Sequence, residues 1–135
     1  MFFGDSKGKQ RSAIRNPSYY FKEAITWPLV TSGGLSARFR DAGSIHDVSG
    51  MSAFSDDTEK ILYVLGLANT PIGSSILSIL NPTINSQIGD FKNIPVLFGE
   101  DEKYIVDMVK KNIDIAELDW NIEEDKWNYM IHPLI

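Results

Sequence analysis

An uncharged stretch runs from Ile61 to Gly89, and it contains no Asp, Glu, Lys, Arg or His. By length alone such a stretch could cross a lipid bilayer. It is interrupted, however, by Pro71 and by the pair Asn81-Pro82, which end or restart helices. We therefore predict two buried helices and a loop rather than a membrane span, and the rest of the chain must supply the core that covers them.

Capping residues mark where these two helices begin. Asp56 and Glu59 have the spacing of a capping box, which predicts a first helix from Thr58 to Ala68. Thr70 followed by Pro71 predicts the start of a second helix. We expect the two to form a tight αα-hairpin. The second helix is expected to bury four aliphatic residues, Ile72, Ile76, Ile79 and Leu80.

Two segments nearer the N-terminus have the patterns of β-strands. The block from Tyr19 to Trp27 is rich in aromatic residues and is followed by a proline. From Leu35 to Arg40 apolar and polar residues alternate, as in a strand that is buried on one side only. This alternation places Arg38 and Arg40 together on the open face, roughly 6.6 Å apart at the rise of a strand.

The remaining segments complete a single domain. Ser44 to Val48 is predicted to return as the second strand of a hairpin, and Met51 to Phe54 to extend the sheet. Asp101 to Asn112 is predicted to be an amphipathic helix that buries Tyr104, Ile105, Met108 and Val109. The predicted fold class is α/β (mixed α+β), with an N-terminal, mostly antiparallel sheet, an αα-hairpin and C-terminal helices. Residues 1–16 are interpreted as a basic arm or linker, and residues 17–135 as one domain.

Charge is distributed unevenly along the 135 residues. The net charge is −5, yet residues 1–50 hold seven basic and four acidic side chains, whereas residues 51–135 hold six basic and 14 acidic ones. One face can therefore meet a polyanion while the other remains in solvent. The chain has no cysteine, which excludes disulfide scaffolds, thiolate zinc sites and cysteine nucleophiles.

No catalytic, cofactor-binding or metal-binding residues are predicted. Asn16 to Tyr19 is similar to the N-P-P-Y motif of amino-group methyltransferases, but neither an apolar strand before it nor a glycine-rich cofactor loop is present, so we interpret it as a turn. Glu124 to Lys126 matches half of a restriction-nuclease site and is interpreted as a solvated helix face. His46 and His132 lack the spacing of metal ligands.

Five blocks, taken in order, resemble motifs of large bacterial adenine methyltransferases of the phage-defence (BREX, PglX-like) and type IIG restriction–modification kind. They are Lys7 to Trp27 (its end, from Tyr19, similar to YYFKEGITW), Ser36 to Phe39, Ile45 to Phe54, Leu80 to Asp90, and Asp119 to Trp127 with His132 to Leu134. Three departures are Ala24 in place of glycine, Ser86 in place of phenylalanine, and Ile122 to Trp127 in place of the F-E-T-S-W segment.

The resemblance implies that the chain is a target-recognition-like fragment of such an enzyme. The implied partners are double-stranded DNA, an upstream methyltransferase domain of the same protein and other defence-system subunits. The implied location is the bacterial cytoplasm, and no membrane is implied as a partner. S-adenosylmethionine is the cofactor expected for the parent enzyme, with none in this fragment. Guanidinium and amide groups read base edges, and cations hold phosphates. The DNA-binding candidates are Lys9, Arg11, Arg15 and Lys22 for phosphates, and Arg38, Arg40, Asn85 and Gln87 for base edges or backbone.

Three alternatives remain open. The amides of the polar loop from Asn81 to Gln87 can instead satisfy their own backbone. The chain can be a protein-interaction module of a defence complex, with Trp120, Trp127 and the acidic tail as its contact. A nuclease, the third alternative, requires magnesium-dependent cleavage that is lost in Glu124→Ala.

Overall fold

The computed structural model describes residues 16–30, 34–46, 50–83, 87–123, 125–126 and 128–129. In this part of the chain a three-stranded sheet is followed by four α-helices. The elements are a 3-10 turn (Pro17–Tyr19), β1 (Ala24–Pro28), β2 (Arg38–Arg40), β3 (Gly50–Ala53), α1 (Thr58–Ala68), α2 (Pro71–Leu80), α3 (Ile88–Lys92) and α4 (Glu102–Asn121). The mixed α+β class predicted from the sequence is confirmed.

The sheet is antiparallel, and its strand order is β2-β1-β3. The predicted hairpin from Ser44 to Val48 is wrong for residues 44–46, which are not a strand, while residues 47–49 lie outside the described part. Strand β2 pairs with β1 instead. After β2, the Asp41 carboxylate accepts a hydrogen bond from Gly43 N (3.0 Å) and turns the chain. The Ser44 carbonyl then accepts from Phe21 N (3.1 Å) rather than from a neighbouring strand.

One face of the sheet forms the core with the helices. Ile25 and Trp27 of β1 are buried on this face, and the Trp27 ring stacks on Phe91 of α3 with 4.2 Å between centroids. Helix α1 lies between the sheet and α4 and buries Ile61, Leu62, Leu65 and Ala68. Its apolar composition therefore reflects a central position, as the sequence predicts.

Helices α1 and α2 have the predicted bounds. The cap of α1 differs, because Asp57 and not Asp56 is its N-cap, with the Asp57 carboxylate accepting from Glu59 N at 3.0 Å. The N-cap of α2 is Thr70, whose hydroxyl accepts from Gly73 N at 3.1 Å. Because α1 begins at Thr58, the N-cap position is the residue before it, Asp57, whose carboxylate accepts from Glu59 N and Lys60 N.

The chain bends by 80° between α1 and α2, so their axes are nearly perpendicular and not antiparallel as in a tight hairpin. Helix α2 packs through Gly73 and Leu77. The expectation that Ile72, Ile79 and Leu80 are buried is wrong, and Ile79 is 81% exposed. The bend decides this, because it presents the narrow Gly73 side of α2 to the end of α1.

Helix α4 is longer than predicted and continues to Asn121. It packs on α1 through Val106 and Val109, with Ile105 half-buried. Tyr104 and Met108, which were expected in the core, lie on the exposed side. No single helix among the described residues is long and apolar enough to cross a membrane, and α1 and α2 meet that test only as a bent pair.

Candidate nucleic-acid interface

The face of the sheet turned away from the helices carries a polar row. Thr26 of β1 is paired with Arg38 of β2 on one side and with Ser52 of β3 on the other. Paired residues point to the same face, and adjacent strands lie about 4.8 Å apart, so the three side chains form a row across the sheet. Arg38 is exposed and the two hydroxyl residues are half-buried. The Thr26 hydroxyl donates to Met51 O at 2.9 Å, which leaves its oxygen as an acceptor toward the open face.

Arg40 shares this face but differs from Arg38 in its surroundings. It is half-buried, and its guanidinium carbon lies 5.6 Å from the centroid of the Phe54 ring. Within the described residues its Nε and Nη2 atoms are enclosed without a hydrogen-bond partner. Burial lowers the pKa of Arg40 by desolvating the guanidinium, and the charge of Asp41 opposes this shift. The alternation of the sequence predicted both guanidinium groups on an open face. In the structure Arg38 is exposed, whereas Arg40 is partly enclosed.

An aromatic cluster formed by Tyr19, Tyr20, His46 and Phe54 covers one end of the open face. Ring centroids are 4.8 Å apart for Tyr19 and Phe54, 5.0 Å for Tyr20 and His46, and 5.4 Å for His46 and Phe54. Beneath it Ala24, which pairs with Arg40, is fully buried. The aromatic cluster therefore lies next to the polar row, and Arg40, which contacts Phe54, lies between the two.

His46 belongs to this cluster, through its ring contacts with Tyr20 and Phe54. Its Nδ1 atom is buried and has no partner in the part of the chain described, and the same holds for the Ser44 hydroxyl. Among those residues no three His, Cys, Asp or Glu side chains converge to hold a metal ion.

Phe21 and Lys22 lie beside the aromatic cluster, just before β1. Lys22 is exposed, and its Nζ atom lies 5.5 Å from the Tyr19 ring centroid. Phe21 is 64% exposed and has a positive φ of 59°. Phe21 is not among the DNA-binding candidates predicted from the sequence. The available signal is the run of three aromatic residues from Tyr19, because such a run before a strand cannot point entirely into the core.

Gln87 is not brought onto the open face. It is the exposed N-cap residue of α3, and its backbone amide donates to the Asp90 carboxylate at 3.2 Å. Helix α3 packs on the opposite side of the sheet, through Phe91 on Trp27. In the same loop the Asn81 side chain donates to the Asp90 carboxylate at 2.7 Å. Its oxygen accepts from Thr83 N at 3.0 Å, as expected if an amide of the loop satisfies the loop's own backbone.

Four further DNA-binding candidates, Lys9, Arg11, Arg15 and Asn85, lie outside the described residues and stay predictions.

In the acidic segment after α4, Lys126 forms ion pairs with neighbouring carboxylates of the same segment. Lys126 Nζ lies 2.8 Å from Asp125 and 3.0 Å from Glu123, and 4.3 Å from the Trp120 ring centroid. Hydrogen bonds to Asp125 and Glu123 raise the pKa of Lys126, and the bond from Lys126 lowers the pKa of Asp125. Glu124 lies outside the described residues. A lysine held in two ion pairs gives no support to the nuclease alternative, which needs it beside a metal-bound water.

Comparison with known proteins points to one class of enzyme. No protein-family model matches the sequence. The chain is 34% identical over 128 residues to the adenine-specific methyltransferase PglX of Lacticaseibacillus casei (strain Zhang). It is 30% identical over 129 residues to the adenine-specific methyltransferase BrxX of Escherichia coli O9:H4 (strain HS). The chain is homologous to one segment of adenine-specific methyltransferases.

The similarity covers 95% and 94% of this chain but 11% and 10% of the two relatives. The chain thus spans about a tenth of the length of the curated relatives it matches. Because nearly the whole chain is matched, the sheet with its polar row and the helical layer both fall within the segment that these methyltransferases share.

Proposed function

We propose that the chain is a DNA sequence-recognition segment of an adenine-specific DNA methyltransferase of a bacterial phage-defence or restriction–modification system. The observation that carries the proposal is the polar row headed by the exposed Arg38, on the face of the sheet that the helices leave open. Homology to a tenth of two methyltransferases supports it, because a recognition segment needs a separate catalytic domain on the same protein.

The chemistry of methyl transfer is assigned to that other domain, upstream in the same protein. The sequence has no glycine-rich loop of the G-x-G kind, so this proposal assigns the S-adenosylmethionine site to the upstream domain. In this proposal the rest of the enzyme flips the adenine and methylates its amino group in the cytoplasm. This chain binds the surrounding duplex and orients it.

The groups on the open face divide between phosphate contacts and base contacts. In this proposal Lys22 holds phosphates, since a single exposed ammonium is a point charge without directional preference. Arg38 presents a planar guanidinium, which forms paired hydrogen bonds to guanine or to phosphate. Thr26 and Ser52 add hydroxyl groups beside it. The acidic side chains of α4 lie in the helical layer, away from this face, which explains how a chain with a net charge of −5 can approach DNA.

The salt dependence of duplex binding tests the proposal. The 135-residue chain is titrated with a labelled duplex at 50 to 200 mM salt, and we expect affinity to fall steeply as salt is raised. Arg38→Ala should weaken binding and reduce the slope of log affinity against log salt by about 1. Lys110→Ala removes an exposed cation from α4 and is the matched control, with no expected change. A flat salt response, or equal behaviour of the two variants, contradicts the proposal.

A second function, protein interaction, is predicted with Trp120, Trp127 and the acidic tail as its contact. Trp120 is 60% exposed on α4, Trp127 lies outside the described residues, and the outer side of α4 adds an apolar surface. Tyr104, Met108, Ile115 and Leu118 are exposed there at helical spacing, opposite the side that packs on α1. Under this alternative Ile115→Asp disrupts binding to another domain or subunit, whereas Arg38→Glu leaves that assembly intact. Under the DNA-recognition proposal Arg38→Glu impairs methylation by the whole enzyme.

A further inference from the structure

The backbone of Phe21 is held in a conformation that its side chain does not favour. Its φ of 59° lies in the left-handed region, which glycine adopts freely and a bulky residue seldom does. The conformation is maintained by the hydrogen bond from Phe21 N to Ser44 O, at 3.1 Å. Strain of this kind persists where the surrounding structure imposes it, and it concentrates at functional sites.

The strain is not offset by packing of the Phe21 ring. The residue is 64% exposed, whereas the two tyrosines before it make ring contacts in the aromatic cluster. The fold therefore directs a large flat apolar group into solvent at a fixed position. Residues in sparsely populated backbone conformations cluster at ligand-binding sites, so the positive φ of the exposed Phe21 favours a ligand that covers the ring.

The surroundings of the ring indicate the chemistry of that ligand. The next residue, Lys22, is an exposed cation. The bond to Ser44 ties Phe21 to the segment that leaves β2, the strand that carries Arg38 and Arg40. Phe21 thus lies at the end of the sheet where Arg40 pairs with Ala24. A flat apolar surface beside positive charge fits a ligand that combines a planar ring with an anion, as every nucleotide does.

We propose that Phe21 stacks on an unpaired nucleobase of bound DNA while Lys22 holds an adjacent phosphate. This inference rests on the proposed DNA-recognition function and adds to it a binding site with a defined ligand class. A base must leave its own stack to meet the ring, as bases do in single strands and around a flipped nucleotide. The site therefore distinguishes unpaired from fully paired DNA.

The experiment compares affinities of the 135-residue chain for a single-stranded oligonucleotide and for the matching perfect duplex. Phe21→Ala should weaken single-strand binding roughly five- to a hundred-fold, the range for loss of one stacked base, with a smaller effect on the duplex. Its salt slope should equal that of the wild type, because a phenyl ring neutralises no phosphate. Phe21→Tyr should retain the affinity. Phe98→Ala, which removes another exposed ring (46% exposed) that contacts Tyr63 of α1 in the helical layer, is the control and should change nothing.

Phe21→Gly separates binding from folding. Glycine removes the ring and accepts the positive φ, so this variant should lose affinity as Phe21→Ala does, yet melt at a higher temperature than Phe21→Ala. Wild-type affinity in Phe21→Ala, with salt-dependent binding intact, would overturn the stacking site and leave the proposed function standing. Absence of salt-dependent binding by the wild type would overturn the proposed function itself.

Discussion

Gly73 is the point of closest approach between α2 and the end of α1, and Gly73→Ala tests that contact. A Cβ atom at this position would lie 2.3 Å from the carbonyl oxygen of Leu67 and 3.0 Å from that of Ala68. Ordinary contacts begin at 3.4 Å, so α2 would have to move by about 1 Å. Both neighbours are backbone atoms, and no rotation of a side chain can relieve the clash.

The expected magnitude follows from three opposing contributions. A Gly→Ala change inside an unobstructed helix stabilises it by about 1 kcal/mol. Overpacking costs about 1–3 kcal/mol, and displacement of α2 also weakens the bond from Gly73 N to the Thr70 hydroxyl, a cap worth about 1 kcal/mol. We therefore expect the free energy of unfolding to fall by about 1–3 kcal/mol. With a urea dependence of about 2 kcal/mol per molar, the midpoint falls by about 0.5–1.5 M.

Urea denaturation, followed by circular dichroism and tryptophan fluorescence, measures this change. Gly89→Ala is the matched control, because Gly89 is also helical but a Cβ there has nothing within 4 Å. The control should unfold at the same or a higher urea concentration than the wild type. If Gly73→Ala were as stable as the wild type, α2 could not approach α1 as the structure shows.

Three further predictions concern the core and the helix caps. Asn69→Ala should lower the free energy of unfolding, measured in urea, by about 1–3 kcal/mol. The reason is that the Asn69 amide accepts a hydrogen bond from Ala37 N (3.0 Å) and donates one to Ala37 O (2.9 Å). Unchanged stability would contradict a stabilising role for these two hydrogen bonds. Asp57→Ala should destabilise at pH 7. Backbone hydrogen bonds lower the pKa of Asp57 in the folded chain below its ordinary value of 3.8. The contribution of the ionised carboxylate to stability is therefore complete above pH 3.8 and is lost as the pH falls through the lower pKa of the folded state. Melting temperatures of variant and wild type should thus converge in acid, and a constant difference would contradict this. Leu77→Ala should lower the free energy of unfolding by about 2–4 kcal/mol because Leu77 is buried, and Ile79→Ala by less than about 0.5 kcal/mol because Ile79 is exposed. Equal losses of stability in the two variants would mean that α2 packs through another face.

Local signals in the sequence predicted where α1 and α2 begin and end. They predicted less well which side of each helix is buried. The bounds of α1 and α2 follow from caps and a proline that act within one turn, so neighbouring residues contain the whole signal. Which side of α2 is buried depends on the angle to α1, which no local pattern encodes. Apolar spacing favoured Ile72 and Ile79, whereas Gly73 permits the close approach that turns both residues to solvent.

The candidate interface shows the same division. Alternation along residues 35–40 predicted the exposed position of Arg38, because side chains of a strand point to opposite faces. The partial enclosure of Arg40 by Phe54 depends on residues 14 positions apart meeting across a sheet whose central strand is β1. The pairing that was predicted instead, a hairpin following β2, is a local arrangement, and the structure has a non-local one.

The sequence by itself determined the class of the fold, the limits of the first two helices and the strand that carries Arg38, since each of these depends on periodicity or capping over a few residues. Only the tertiary structure decided which apolar faces are buried, that Thr26, Arg38 and Ser52 form one row, and that Phe21 is held in solvent. These features depend on contacts between segments distant in the chain, whose free energy is set by the packing of the whole domain and not by any one segment.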